Sequence, residues 1–251
     1  MCAVKIVAHR GVTDGAPENT VQAFNKAIEL GADGVELDVR LTKDHVPVVY
    51  HYYYLDELTS LTGPIFEYSF DELRHARFNS ASASAEDHYK IPMLREVIEA
   101  IGGRVELEIE IKGPEPEAPE IIGQLLGQYR RLWDSLEVTS FDPQFLVAIQ
   151  EICPGIAADL LYPRSEPWMG LDIVAYSAIH RARLAGARAV HLNPAQLSED
   201  VVNRVRGAGF KIHAWDVNDA RALELVLQYQ IPVICTDRVA FAKAFYAQID
   251  S

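Results

Sequence analysis

The stretch GVELDVRLTKDHVPVVYH, Gly34 to His51, holds two apolar runs joined by a short polar turn. Both runs have strand length and are rich in β-branched residues, so both read as strands. The connection from Leu41 to Val46 is too short for the crossover that parallel neighbours need. The second run therefore folds back antiparallel on the first. Along the first run Glu36 and Asp38 share one face, and Val35, Leu37 and Val39 share the other. With the turn centred between Asp44 and His45, cross-strand partners have numbers summing to about 89, which sets Asp38 opposite His51. Two carboxylates and an imidazole then face one space.

Outward from this hairpin the chain alternates. Strand-like runs lie near residues 4–8, 33–41, 46–50, 105–112, 136–140, 156–161, 187–192, 210–217 and 231–236. Helical spacing of apolar residues marks 18–30, 92–101, 117–132, 143–152, 172–184, 198–208 and 219–229, with Asn19 or Thr20, Ser198, and Asn218 or Asp219 as N-caps. Removing the antiparallel run from the nine strands leaves eight parallel ones. That number makes the fold class α/β, a (β/α)8 TIM barrel with an early antiparallel hairpin. The expectation is one domain over residues 1–251. Residues 52–90, which include the low-complexity run Ser80 to Ala85, form a small lid insertion over one end of it.

Composition narrows the function. At 251 residues and 49 % hydrophobic content the chain can bury a full core. Its apolar runs are interrupted by charge at strand length, which leaves no transmembrane helix, and the run from Val4 to Ala8 passes straight into His9-Arg10-Gly11, which leaves no room for a signal. A cytoplasmic location is expected. Cys2, Cys153 and Cys235 have no metal-like spacing and read as free thiols without a catalytic role. A net charge of -13 argues against nucleic acid or an anionic membrane as the main partner, so an anionic substrate needs local cations.

Such cations and their partners fall at strand ends. The run Val105 to Lys112 repeats the alternation of the hairpin, with Glu106, Glu108, Glu110 and Lys112 on one face. Sites in barrels form at C-terminal strand ends, which favours Glu110 and Lys112 over Glu106. The first strand ends in His9-Arg10-Gly11, and other strands end near Ser140, Asn193, Trp215 and Asp237. Three carboxylates, Glu36, Asp38 and Glu110, are hard oxygen ligands suited to one divalent cation, Mg2+ or Ca2+. His9 and His51 offer a general acid and base, while Arg10 and Lys112 supply charge for a phosphate. Phosphoryl chemistry suits that set. Taken singly, each residue has a plainer role: His75, His88 and His180 read as surface or packing histidines, and an isolated acidic pair is usually solvated.

The ordered set His9-Arg10-Gly11, Pro17-Glu18-Asn19-Thr20, Glu36-Leu37-Asp38-Val39, Pro47-Val48-Val49 with His51, and Glu110-Ile111-Lys112 resembles the glycerophosphodiester phosphodiesterase family. Ser140-Phe141-Asp142, Leu192-Asn193-Pro194, Trp215-Asp216-Val217-Asn218 and Thr236-Asp237 extend the resemblance over nearly the whole chain. It implies a TIM barrel that hydrolyses glycerophosphodiesters to glycerol 3-phosphate and an alcohol with a divalent cation. It assigns the metal to Glu36, Asp38 and Glu110, acid-base work to His9 and His51, and the phosphate to Arg10 and Lys112. Glu18 would lie near the metal or orient the site, and Phe141 and Trp215 would contact the glycerol. The partner implied is a small-molecule glycerophosphodiester, with no nucleic acid, no stable membrane association, and a homo-oligomer left open.

Three positions depart from the family pattern. Tyr52 stands where an aspartate usually follows the second histidine, with Asp56 as a nearby substitute. The hairpin turn reads Asp44-His45 instead of Asp-Gly, and Glu108 stands where a smaller or amide side chain is usual. Glu108 is expected to be a buried acid paired with a cation such as Lys112, or else a fourth ligand. Two other readings remain: a lysophospholipase-D-like barrel phosphodiesterase, and a non-catalytic barrel that binds a phosphorylated ligand.

Overall fold

The computed structural model describes residues 4–79 and 89–249. Eight parallel strands close into a barrel with helices outside it. The strands are β1 (Lys5–Ala8), β2 (Gly34–Leu41), β4 (Glu106–Ile111), β5 (Leu136–Ser140), β6 (Ala157–Leu161), β7 (Ala189–Leu192), β8 (Lys211–Ala214) and β9 (Val233–Thr236); β3 (Pro47–Val49) is the antiparallel extra. Pairing runs β1-β9-β8-β7-β6-β5-β4-β2, and β1 pairs β2 to close the ring. The helices are α1 (Val21–Glu29), α2 (Phe70–Leu73), α3 (Leu94–Ile101), α4 (Ala118–Gly127), α5 (Pro143–Ile152), α6 (Leu171–Ala185), α7 (Glu199–Gly207), α8 (Ala220–Gln228) and α9 (Val239–Ile249). Helix α9 was not expected. Among the described residues no helix is long and apolar enough to cross a membrane.

Helices start where their caps are. The Thr20 side chain accepts from Ala23 N, Ser198 from Val201 N and Asp219 from Ala222 N, each satisfying an amide that the first turn leaves free. Alternation then sorts every strand into two faces. Val35, Leu37 and Val39 of β2, Leu107, Ile109 and Ile111 of β4, and Val190 and Leu192 of β7 join the large apolar cluster between barrel and helices. Fully buried leucines of this kind contribute about 1.5–3 kcal/mol each. The opposite face lines the barrel, and it is polar: Glu36, Asp38, Glu108, Glu110, Thr139, Asp159, His191 and His213 are all buried. Barrel interiors are usually filled by branched apolar residues, so this interior is built for something besides packing.

Strand β2 is long because it serves two partners on one edge. Gly34 and Val35 pair with β1 to close the barrel, whereas Val39 to Leu41 rise above the rim and pair with β3. The register differs from the expected one. The pairs Val39 with Val49, Arg40 with Val48 and Leu41 with Pro47 each sum to 88, so Tyr50, not His51, lies opposite Asp38, and Tyr50 N donates to Asp38 O at 2.9 Å. The cause is the turn. Thr42 N bonds Val46 O, leaving the three residues Lys43, Asp44 and His45 in the loop, and His45 takes the left-handed conformation at φ 62°. This is a three-residue hairpin loop, one residue longer than the two-residue turn read from the sequence.

The segment after the hairpin packs on its outer face. Leu55, Ile65, Phe70 and Leu73 form a second, smaller core with Val48 and Tyr50 of the hairpin and Ile91. Its short helix α2 is closed by a capping box between Ser69 and Glu72. His88 and the run Ser80 to Ala85 lie outside the described residues, as does Cys2. Cys153 and Cys235 are buried free thiols, and His75 and His180 are exposed.

Candidate active site

A cleft of about 240 Å3 opens at the C-terminal end of the strands. It is lined by His9, Arg10, Glu36, His51, Glu110, Lys112, Phe141 and Trp215, together with Glu108, Leu161, Asp216 and Cys235. Asp38, 1 % exposed, is buried against two of the lining residues, Arg10 and Lys112.

The loop after β1 brings the first two residues in. Arg10 adopts a left-handed backbone at φ 55°, which aims its N–H at Glu36 Oε2 at 3.0 Å. Gly11 follows at φ 83°, so close to helix α1 that a Cβ would lie 2.7 Å from the Ala23 carbonyl carbon. The His9 ring stands between two acids: Nδ1 lies 2.6 Å from Asp237 Oδ1, and Nε2 lies 3.9 Å from Glu36 Oε2. Asn218 supports Asp237, its Oδ1 accepting from the Asp237 N–H at 2.9 Å.

His51 enters from the hairpin by a different route from the one read in the sequence. Strand β3 ends at Val49, so His51 lies beyond it, and its carbonyl accepts from Arg40 Nε at 2.8 Å. Arg40 also donates to Gly113 O at 3.2 Å, and its guanidinium stacks 3.9 Å from the Tyr53 ring centroid. Burial lowers the His51 pKa to about 3; Asp38 opposes the shift, and Lys112, Arg10 and Arg40 reinforce it. Tyr52 packs edge-on to the His51 ring at 4.7 Å and lies 6.0 Å from the Arg10 guanidinium, while Asp56 is exposed in the insertion and accepts from Gly63 N.

Three carboxylates meet at the centre. One oxygen from each of Glu36, Asp38 and Glu110 lies within 4.8 Å of the other two. Burial, then repulsion from Asp38, Glu110 and Glu108, pushes the Glu36 carboxyl well above its ordinary range; burial likewise raises Glu110 to about 7, against the pull of Lys112. Asp38 behaves differently. Its burial also acts upward, but Lys112 and Arg10 hold it down to about 2. The contacts explain this: Lys112 Nζ lies 3.3 Å from Asp38 Oδ1 and 2.8 Å from Glu110 Oε1, and Arg10 Nε lies 3.2 Å from Asp38 Oδ2. Asn19, also left-handed, completes the cradle by donating to Asp38 Oδ2 at 2.7 Å and accepting from Asp38 N at 3.2 Å.

This donor set fits a divalent cation. Glu36 Oε1 is buried with no hydrogen-bond partner, and burial together with the neighbouring carboxylates raises the pKa of both Glu36 and Glu110, a charge penalty that a dication would relieve. Glu18 is not among the three; it accepts from Arg10 Nη1 at 3.0 Å and so orients that guanidinium. On the far wall Phe141 and Trp215 meet edge to face at 6.3 Å, and Trp215 Nε1 donates to Tyr162 O. Glu108 corrects another expectation. Its nearest basic neighbour is His191, with Nδ1 3.3 Å from Glu108 Oε1, because Lys112 is already engaged by Asp38 and Glu110 one layer higher. Arg40 carried no role in the sequence reading, and Asn19, Asn218 and Asp237 entered it only as helix-cap candidates, a strand-end carboxylate and parts of the motifs, not as supports of the site.

The chain matches the model of the glycerophosphoryl diester phosphodiesterase family over residues 9–241. A glycerophosphodiester phosphodiesterase from Caldanaerobacter subterraneus is 31 % identical, with 92 % of this chain and 93 % of the relative covered. Among solved structures, a phosphodiesterase from Oleispira antarctica in complex with the product sn-glycerol-3-phosphate superposes with a TM-score of 0.82 at 26 % identity, covering 98 % of this chain and 97 % of that one. A glycerophosphodiester phosphodiesterase from Agrobacterium tumefaciens gives 0.79 at 26 % identity, covering 98 % of this chain and all of the other.

Proposed function

The chain belongs to the glycerophosphoryl diester phosphodiesterase family, and from that membership we propose that it hydrolyses glycerophosphodiesters to glycerol 3-phosphate and an alcohol. The observation that carries the proposal is the pairing of two histidines with three buried carboxylates around one cleft. Glu36, Asp38 and Glu110 would hold one divalent cation, Mg2+ or Ca2+. When bound, it supplies Lewis-acid polarisation of a phosphoryl oxygen.

The remaining steps belong to the side chains. Arg10 and Lys112 hold the phosphate and offset charge that builds in the transition state. One histidine of the pair His9 and His51 removes the proton from a glycerol hydroxyl as that oxygen attacks phosphorus; the other protonates the departing alcohol. The cyclic phosphate so formed is opened by water with the two roles exchanged. Asp237 holds the His9 ring through Nδ1 and leaves Nε2 facing the carboxylates, the geometry a proton-transferring histidine needs. Phe141 and Trp215 form the apolar wall for the glycerol carbons, and Glu18 orients Arg10.

Residues 52–90 are taken as a lid within a single domain, and they would select the alcohol. Tyr53, Tyr54 and Phe66 are exposed there, which favours a second reading in which the glycerol itself carries an acyl chain, as in a lysophospholipid. We take the cytoplasm as the compartment, a choice the unbridged Cys153 and Cys235 support. The test is release of glycerol 3-phosphate from glycerophosphocholine and, separately, of lysophosphatidic acid from lysophosphatidylcholine, with Mg2+, Ca2+ or chelator. Cation-dependent release from the first substrate is expected. No release from either with any cation would leave a non-catalytic binding barrel.

A further inference from the structure

Beneath the catalytic carboxylates the barrel interior holds a second cluster that the proposed reaction does not use. Asp159 comes from β6, His191 from β7 and His213 from β8, the two histidines facing each other in register. Three of their atoms form a compact triangle. His213 Nδ1 lies 3.0 Å from His191 Nε2, which lies 3.5 Å from Asp159 Oδ2, and the third edge, His213 Nδ1 to Asp159 Oδ2, is 3.7 Å. A tetrahedral dication bonded at about 2.0–2.1 Å sets its ligand atoms about 3.3–3.4 Å apart. The three edges straddle that spacing, so the triangle is close to one face of such a tetrahedron before any side chain moves.

The outer contacts are those a metal-binding histidine needs. His191 turns its other nitrogen, Nδ1, toward Glu108 Oε1, 3.3 Å away; Nδ1 is buried and makes no hydrogen bond, so a small closure of this gap would give the carboxylate-histidine pairing that orients a ligating ring. The other oxygen of Glu108 is buried and has no partner. Asp159 is anchored through its remaining oxygen, Oδ1, which accepts from Ala189 N at 3.0 Å and Arg188 Nε at 3.1 Å. Asp159 is wholly buried and His191 is 1 % exposed, so packing holds both in place. A carboxylate oxygen of Glu137 lies within 4.8 Å of the other three donors. Access comes from the N-terminal mouth of the barrel, where a cavity of about 840 Å3 is lined by Glu108, Glu137, Arg188 and His213 among others.

We propose that His191, His213 and Asp159, with Glu137 as fourth donor, form a second metal site for a borderline transition-metal dication such as Zn2+. The two sites then differ in chemistry. Two imidazoles with carboxylates suit Zn2+, whereas the all-oxygen set of Glu36, Asp38 and Glu110 suits Mg2+ or Ca2+. Arg188, whose Nη2 lies 2.8 Å from Asp159 Oδ2, stays outside the donor set as a hydrogen-bond support for that carboxylate.

The experiment uses the full chain carrying Glu36→Gln and Glu110→Gln, which disables the oxygen site, stripped with chelator and then loaded with Zn2+ or Co2+ alone. The expected result is one equivalent of Zn2+ retained through desalting and a Co2+ complex with the intense visible bands of four-coordinate geometry. Glu108→Gln should weaken Zn2+ binding about 10–100-fold, as loss of an outer carboxylate does, and His213→Gln should remove it. Failure to retain Zn2+, a weak six-coordinate Co2+ spectrum, or equal Zn2+ binding in His213→Gln would overturn the proposal and leave a buried ion-pair network. Should the His213 variant not fold, the Co2+ spectrum with both histidines present decides alone. None of these measurements involves substrate, so they stand or fall independently of the phosphodiesterase reading.

Discussion

His9 and Asp237, at opposite ends of the chain, meet with Nδ1 and Oδ1 2.6 Å apart, because β1 and β9 are neighbours in the closed barrel. The carboxylate fixes the orientation of the ring through Nδ1. Asp237→Asn keeps the shape and removes the charge. It should lower kcat by at least about tenfold, about 1.4 kcal/mol of barrier, with KM nearly unchanged. On the proposed mechanism His9→Ala removes a proton carrier and should cost on the order of 10² in kcat. Steady-state kinetics on glycerophosphocholine checks both; equal turnover in wild type and Asp237→Asn would make that contact purely structural.

Arg40 is the corresponding support for His51, through the backbone and not the ring. Its fork holds the His51 and Gly113 carbonyls while its face stacks on Tyr53. Lysine keeps the charge but cannot reproduce a planar fork. Arg40→Lys should therefore lower kcat by about tenfold or more, one step of about 1.4 kcal/mol, with a smaller change in KM. A lowered melting temperature with kcat intact would show that Arg40 only stabilises the hairpin.

The strand pattern was legible because alternation on β2 and β4 separates acids from aliphatics residue by residue, and that separation is a local property. Glu36, Asp38 and Glu110 converge for the same reason, since β2 and β4 pair with Asp38 beside Glu110. What was not legible depends on one extra loop residue or on contacts across the barrel. Placing His45 in the left-handed region shifts the hairpin by one, so His51 reaches the cleft by leaving the sheet instead of by pairing in it. Likewise, nothing near Glu108 in the chain indicates that its partner is His191, three strands away. Helix α9 was overlooked because its apolar residues are spread around it, and only Val239 and Ala242 are buried.

Gly11 ties the loop after β1 to helix α1 by its lack of a side chain. At φ 83°, with a Cβ position 2.7 Å from the Ala23 carbonyl carbon, alanine meets both backbone strain and overlap with backbone that cannot turn aside. Gly11→Ala should cost about 1–3 kcal/mol. For a chain of this size each kcal/mol moves the melting temperature by about 2–4 °C. Calorimetry should show that loss, and a melting temperature unchanged by the substitution would mean that the loop re-forms without contact to α1.

Asp44 joins the hairpin loop to the insertion, and its effect should depend on pH. Oδ1 accepts from the Thr42 hydroxyl at 2.6 Å and from the Phe70 N–H, the first of helix α2, at 2.9 Å. Its slight burial acts to raise the carboxyl pKa, but these two donors outweigh it and hold the group below its ordinary value of 3.8. A carboxyl whose pKa is depressed by folding stabilises the native state above the unfolded value, and that contribution disappears as pH falls through the folded value. Asp44→Ala should thus destabilise the chain near neutrality by about 1 kcal/mol, a figure kept small because the site is largely exposed. The gap between wild type and variant should narrow as pH falls below about 4. Urea unfolding at several pH values measures the gap directly. A difference that stayed constant down to pH 2 would mean that shape, not charge, holds the loop to α2.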